Sequence, residues 1–135
     1  MRIEYRYDPE LDCYTLVTSD VFILGAEDIA TWSREMERAS EELLESRGGE
    51  KFFCLIDLAG FQLAPAMADA YGERASAFVR RYFTGVIRYG RTVGTPTVSA
   101  LRRGAESQAF SSLVFPNRAS AIEALAIVRE ANEAP

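Results

Sequence analysis

Seven arginines and no acid fall between Arg74 and Arg103: Arg74, Arg80, Arg81, Arg88, Arg91, Arg102 and Arg103. A guanidinium is a fork of donors matched to carboxylate and phosphate. Within the stretch, Gly94-Thr95-Pro96-Thr97 reads as a helix start, where free N–H groups and the helix dipole also favour an anion. Arg88, Arg91, Thr95, Arg102 and Arg103 are therefore the candidate anion-binding residues. The stretch lacks the GxxxxGK[ST] loop, so it is not a mononucleotide P-loop. The plain alternative is a capped helix flanked by solvated arginines. Asp57 completes the candidate site. It follows the apolar run Phe52 to Ile56, which suits the carboxyl end of a central strand, where open α/β sheets bind ligands. It reads either as a polar anchor for a ligand or a metal, or as a carboxylate capping its own loop. No neighbouring carboxylate at short spacing supports a magnesium site.

Other pairings are weaker. Arg80-Arg81-Tyr82-Phe83 and Arg88-Tyr89-Gly90-Arg91 interleave cations with rings, the mixture that holds single-stranded nucleic acid. Helical spacing, however, puts Tyr82 on a buried stripe, and the net charge of -5 repels nucleic acid outside the patch. Nucleic acid is not the expected partner. Cys13 and Cys54 are the only cysteines, and Cys54 lies inside an apolar run, so it reads as a small core residue. Trp32 and Met36 likewise read as core.

The chain holds no histidine. That removes the commonest general base, the commonest metal ligand and every Ser-His or Cys-His nucleophile pair. Two cysteines alone cannot fill a zinc site. Lysine is nearly absent as well, Lys51 being the single one. No catalytic residue, metal or cofactor is assigned, and the expectation is a protein that is not an enzyme.

Charge is unevenly divided. Sixteen acids and six bases precede Arg74, whereas nine bases and four acids occupy the rest. Such asymmetry suggests an anionic partner, or the molecule's own acidic surface in an oligomer, against the plain reading of a solvated basic face. The 135 residues match one globular domain, with 48% apolar and 26% charged residues. Apolar runs such as Phe52 to Ile56 fall far short of the ~20 residues that cross a bilayer. The first residues form no apolar segment of signal-peptide length. No membrane insertion and a cytoplasmic location with reduced thiols are expected.

The elements that must position these residues follow from periodicity. Ile3, Tyr5 and Tyr7 alternate with polar neighbours, Asp8 to Asp12 supplies turn chemistry, and Cys13 to Thr18 reads as the second strand of a hairpin. Val21 to Leu24 either extends this sheet or leads into the next helix. Ile29, Trp32, Met36, Ala39 and Leu43 line one face of a helix from Ala26 to Ser46, stopped by Gly48-Gly49. Phe52 to Leu58, apolar on both faces, suits a central strand. Ala59 to Ala64 reads as a loop before a helix opened by Pro65, with a buried stripe of Met67, Tyr71, Ala75, Phe78, Val79 and Tyr82. Val86 to Tyr89 reads as a short strand, and Thr95-Pro96 as the start of a further helix or strand. Leu113 to Phe115 is a last strand, and a final helix begins near Asn117 with Ile122, Leu125 and Val128 inward. The order ββαβαβαβα implies crossovers, hence a single α/β domain over residues 1–135 with a mixed, mostly parallel sheet, an N-terminal hairpin and about four helices.

Three local signatures in this order resemble the STAS superfamily of sulphate transporters and anti-sigma factor antagonists, particularly its stand-alone bacterial members. They are Leu24-Gly25-Ala26-Glu27-Asp28 opening a long helix, Leu55-Ile56-Asp57-Leu58 ending a central strand, and Val114-Phe115-Pro116 followed by Ala121 to Leu125. The resemblance covers most of the chain. It implies a non-catalytic regulatory domain that binds a partner protein or itself, some members also being reported to bind nucleotides or lipids. Anti-sigma factor antagonists carry a phosphorylatable serine at the start of the helix after the Asp-containing strand. The matching stretch here, Leu63-Ala64-Pro65-Ala66-Met67, has no hydroxyl, so a phosphate switch at that place is excluded. The first rival is a receptor for a small anionic ligand such as a nucleotide, lipid or metabolite, held by the arginine-rich patch. The second is an enzyme using Asp57, with arginines as electrostatic stabilisers.

Overall fold

A computed structural model describes residues 1–90 and 114–133. The N-terminal alternation produces β1 (Arg2–Asp8) and β2 (Cys13–Ser19), paired antiparallel from Arg2↔Ser19 to Asp8↔Cys13. The turn between them uses Asp8, whose Oδ1 accepts the Glu10 N–H at 3.0 Å.

The segment that the sequence left open becomes β3 (Val21–Ile23). It leaves the main sheet and pairs in parallel with β5 (Phe61–Leu63), a strand inside the stretch expected to be a loop. Three residues are too few for a periodic signal, and the pairing partner lies about forty positions away in the chain. Val21 and Ile23 point inward and are fully buried, which leaves Phe22 outward.

Helix α1 (Ala26–Ser46) has the expected bounds. Asp28 reaches back to its start, accepting the N–H groups of Leu24 at 2.9 Å and Gly25 at 3.0 Å. These are amides that the helix itself cannot satisfy. Its end is closed by Gly48 and Gly49, with φ of 68 and 85, a left-handed conformation that glycine adopts without a Cβ penalty. The Gly49 N–H returns to the Leu44 carbonyl at 2.8 Å.

Strand β4 (Phe52–Asp57) follows, and a 3-10 turn over Pro65–Met67 precedes α2 (Ala68–Tyr82). Strand β6 (Phe83–Tyr89) starts directly at the helix end, three residues before the expected Val86. Strand β7 (Val114–Phe115) and α3 (Arg118–Glu133) complete the described chain. Asn117 caps α3, its Oδ1 accepting the Ser120 N–H at 2.8 Å.

The main sheet has the order β1-β2-β4-β6-β7, with β1 antiparallel to β2 and all later pairs parallel. The mixed, mostly parallel sheet is as expected. Three α-helices lie among the described residues, against about four expected; the helix or strand opened by Thr95-Pro96 falls outside them.

Both faces of the sheet are covered. On one, Trp32 and Met36 of α1 and Tyr71, Val79 and Tyr82 of α2 pack on Leu16, Cys54 and Val86. On the other, Ala121 and Leu125 of α3 pack on Cys13, Phe53, Leu55 and Ile87. This accounts for the unbroken apolar run of β4, since neither face of a doubly covered strand meets water. Among the described residues no helix is long and apolar enough to cross a membrane.

Candidate functional site

Asp57 stands at the last position of β4, at the carboxyl ends of the parallel strands. Its Oδ1 accepts the Ala59 N–H at 2.9 Å, so one carboxylate oxygen already closes the loop that leaves the strand. It lines an open cleft of about 420 Å³ shared with Arg6, Asp8, Thr15, Tyr89 and Arg118.

Arg118, at the first position of α3, organises that cleft. Its guanidinium donates to Thr15 Oγ1 at 3.0 Å, to the Tyr89 hydroxyl at 3.2 Å and to Asp8 Oδ2 at 3.1 Å. One side chain thus ties the final helix to β1, β2 and β6. Burial pushes the Tyr89 hydroxyl above its ordinary pKa, while the Arg118 guanidinium beside it pulls the other way. The hydrogen bond to Tyr89 in turn raises Arg118. Sequence reasoning passed over Arg118. One signal was present: the dipole disfavours a cation in the first turn of a helix, so an arginine there serves something outside the helix.

Arg88 sits elsewhere. It was expected in an arginine-rich patch with Arg91, Thr95, Arg102 and Arg103, but only 5% of it is exposed. Strand β6 runs between β4 and β7, and Arg88 projects to the face covered by α1 and α2. There it borders a small pocket of about 30 Å³, together with Thr18, Trp32, Leu58, Phe61 and Tyr71. Burial lowers the guanidinium pKa, with the neighbouring Tyr71 and Cys54 acting in the opposite sense. Burial likewise pushes the Tyr71 hydroxyl up to about 12. Arg91, Thr95, Arg102 and Arg103 lie outside the described residues.

The structure therefore does not bring Asp57 and Arg88 together. Residues of the basic stretch also serve neighbours within the molecule. Arg81 and the Tyr82 hydroxyl both donate to Glu41 of α1, Arg80 donates to Ser76 Oγ at 3.1 Å, and Arg74 to Ser33 Oγ at 3.3 Å. Part of the charge asymmetry along the sequence is thus resolved by contact between α1 and α2.

A second open cleft, of about 450 Å³, lies at the amino ends of β4 and β6, bordered by Arg47, Lys51 and Arg129. All three cations are held by main-chain carbonyls. Arg47 donates to Glu50 and Lys51, the Lys51 Nζ to Arg80 at 2.7 Å, and Arg129 to Leu11 and Asp12. Cys13 and Cys54 are both buried and unbridged. Burial raises both thiols, which suppresses thiolate chemistry. Among the described residues no group of three metal-ligating side chains converges.

At the opposite side of α1's start, the Ala64 N–H donates to the Ile23 carbonyl at 2.8 Å, joining the end of β3 to the Pro65 turn. Phe22 is 41% exposed there and Leu24 65%. Pro65 and Ala66 are exposed beside them in the turn. No family model, no curated protein and no solved structure matches the chain.

Proposed function

We propose that this domain is a non-catalytic regulatory module of the STAS type that grips a protein partner, either another chain or a second copy of itself. The observation that carries the reading is the apolar end made by Phe22, Leu24 and the Pro65 turn. Val21 and Ile23 anchor β3 in the core, so the alternation of a strand forces Phe22 outward. Leu24 follows it into solvent, and the bond from Ala64 to Ile23 holds the uncharged turn alongside. Large apolar side chains gathered at one exposed place favour a partner that removes them from water.

The same turn is the stretch that the STAS resemblance aligns with a phosphoacceptor. Without a hydroxyl it is constitutively uncharged, and the reading is of a docking end not switched by phosphate. Asp57 fits this account as a loop cap, its Oδ1 being committed to the Ala59 amide.

Photo-crosslinking tests the proposal. A photoreactive residue at position 24 is expected to trap one defined protein, either a partner or a second copy. The same residue at position 127, equally exposed but on α3, is expected to trap none in comparable yield. Equal yields from both positions contradict the docking reading.

A further inference from the structure

Strand β1 is an edge of the main sheet, and among the described residues β2 is the one strand that pairs with it. An edge leaves a row of backbone N–H and C=O groups outside any ladder, and these template a further strand. Prolines, bulges and short length blunt such edges. Strand β1 has none of the three: it runs seven residues, holds no proline and pairs with β2 without a register shift. Charged side chains are a further blunting device, and β1 carries four. Their order decides whether a second strand is repelled or attracted.

We infer that β1 pairs antiparallel with β1 of a second copy, so that the sheet continues across a two-fold axis. Strand alternation puts Arg2, Glu4, Arg6 and Asp8 on one face. Their signs run plus, minus, plus, minus, an order that becomes its own complement when reversed. With Tyr5 opposite Tyr5 of the second copy, each Arg2 faces an Asp8 and each Glu4 faces an Arg6. Opposite charges directly across two strands attract, and like charges repel. A shift of two residues either way sets Glu4 against Glu4 or Arg6 against Arg6. A shift of one sets charged residues against Ile3, Tyr5 and Tyr7, so one register is selected. On the other face Ile3 meets Tyr7, which is 51% exposed in the single chain. Glu4 already lies 3.4 Å from Arg2 and 3.3 Å from Arg6 of its own chain, contacts open to solvent that can be exchanged across the axis. The four charges sum to zero, so pairing gathers no net charge. An interface closed by its own two-fold axis gives a dimer and no fibre. This edge shares no residue with the apolar end proposed above for docking; loss of the position 24 crosslink leaves it untouched.

Sedimentation equilibrium tests the pairing. The unaltered chain is expected to dimerise reversibly at about 50 mM salt, and the dimer to weaken as salt rises to about 500 mM. Glu4→Arg or Arg6→Glu alone sets like charges across the axis at two places and is expected to weaken the dimer at least about tenfold. An equimolar mixture of the two variants restores opposite charges at both places and should dimerise as the unaltered chain does. So should the double variant, Glu4→Arg with Arg6→Glu. Should either single variant fail to fold by circular dichroism, Arg2→Glu, at the most exposed of the four side chains, is expected to weaken the dimer severalfold. An unaltered chain that stays monomeric up to about 1 mM overturns the inference. So does a dimer that the folded variants leave unchanged, or one that the mixture fails to restore.

Discussion

Asp57 and Arg88 occupy adjacent strands one register step apart, yet they serve opposite faces of the sheet. Asp57 is level with Tyr89 and borders the open cleft with Arg118, whereas Arg88 is level with Ile56 and borders the small pocket with Trp32. Successive residues of a strand point to alternate sides, so that single step separates a solvated carboxylate from a buried cation. Two environments with different chemistry result: a polar crevice knit by Arg118, and a small, mostly apolar pocket bordered by Arg88.

If Asp57 is a cap and not a catalytic group, its amide should replace it. Asp57→Asn keeps an acceptor for the Ala59 N–H and is expected to change unfolding free energy by less than about 0.5 kcal/mol. Asp57→Ala removes the acceptor and is expected to cost about 1 kcal/mol. Urea unfolding of the three proteins measures both; an Asp57→Asn loss as large as that of Asp57→Ala contradicts the capping role.

Arg118 is expected to matter more for stability. Its removal leaves Asp8, Thr15 and Tyr89 without a shared donor and unties α3 from the sheet. Arg118→Ala is expected to destabilise by about 2 kcal/mol. Arg118→Lys, a point charge in place of a fork, should recover only part of it. Thermal unfolding of both variants checks the order.

The long elements were legible because their signals are redundant. Helix α1 combines a stripe through Trp32 and Met36, an acid at Asp28 that reaches back to its start, and glycines that end it, so several cues agree on the same bounds. Strand β4 was equally plain, since burial on both faces leaves no polar interruption until Asp57. Strand β3 was legible only as one of two readings and β5 not at all, because each is three residues long and takes its stability from the other. Asp57 was correctly placed at a strand's carboxyl end. Arg118, which lines the same cleft, was not legible because 110 positions separate it from Asp8, and no local pattern records that contact. In the sequence Arg88 belongs to a basic run; its burial follows from strand order, which periodicity along one chain does not contain.

Tyr71 sets an alkaline limit. Burial raises its pKa from 10.0 to about 12, so the folded state keeps a proton that the unfolded chain surrenders. The stability this provides is complete below about pH 10 and is lost as pH rises towards 12. In Tyr71→Phe the decline over that interval should be shallower by up to one proton's worth of slope. Urea titrations from pH 9 to about 11.5 read it directly; parallel slopes would contradict a buried, neutral Tyr71.

The cysteines report on the core. Both thiols are buried and shifted upward, so neither Cys13 nor Cys54 should react with a thiol-specific aromatic disulphide at pH 8 in the folded protein. Both should react after unfolding. Prompt native labelling of Cys54 would mean that the interface between the sheet and its two covering helices opens readily.

The docking claim has its most direct test in the affinity of the molecule for the partner trapped at position 24. Equilibrium binding should weaken at least about tenfold in Leu24→Asp, which places a charge in the apolar end, and stay within about twofold in Ile127→Asp. Equal affinities of Leu24→Asp and the unaltered protein, with both folded, would contradict it.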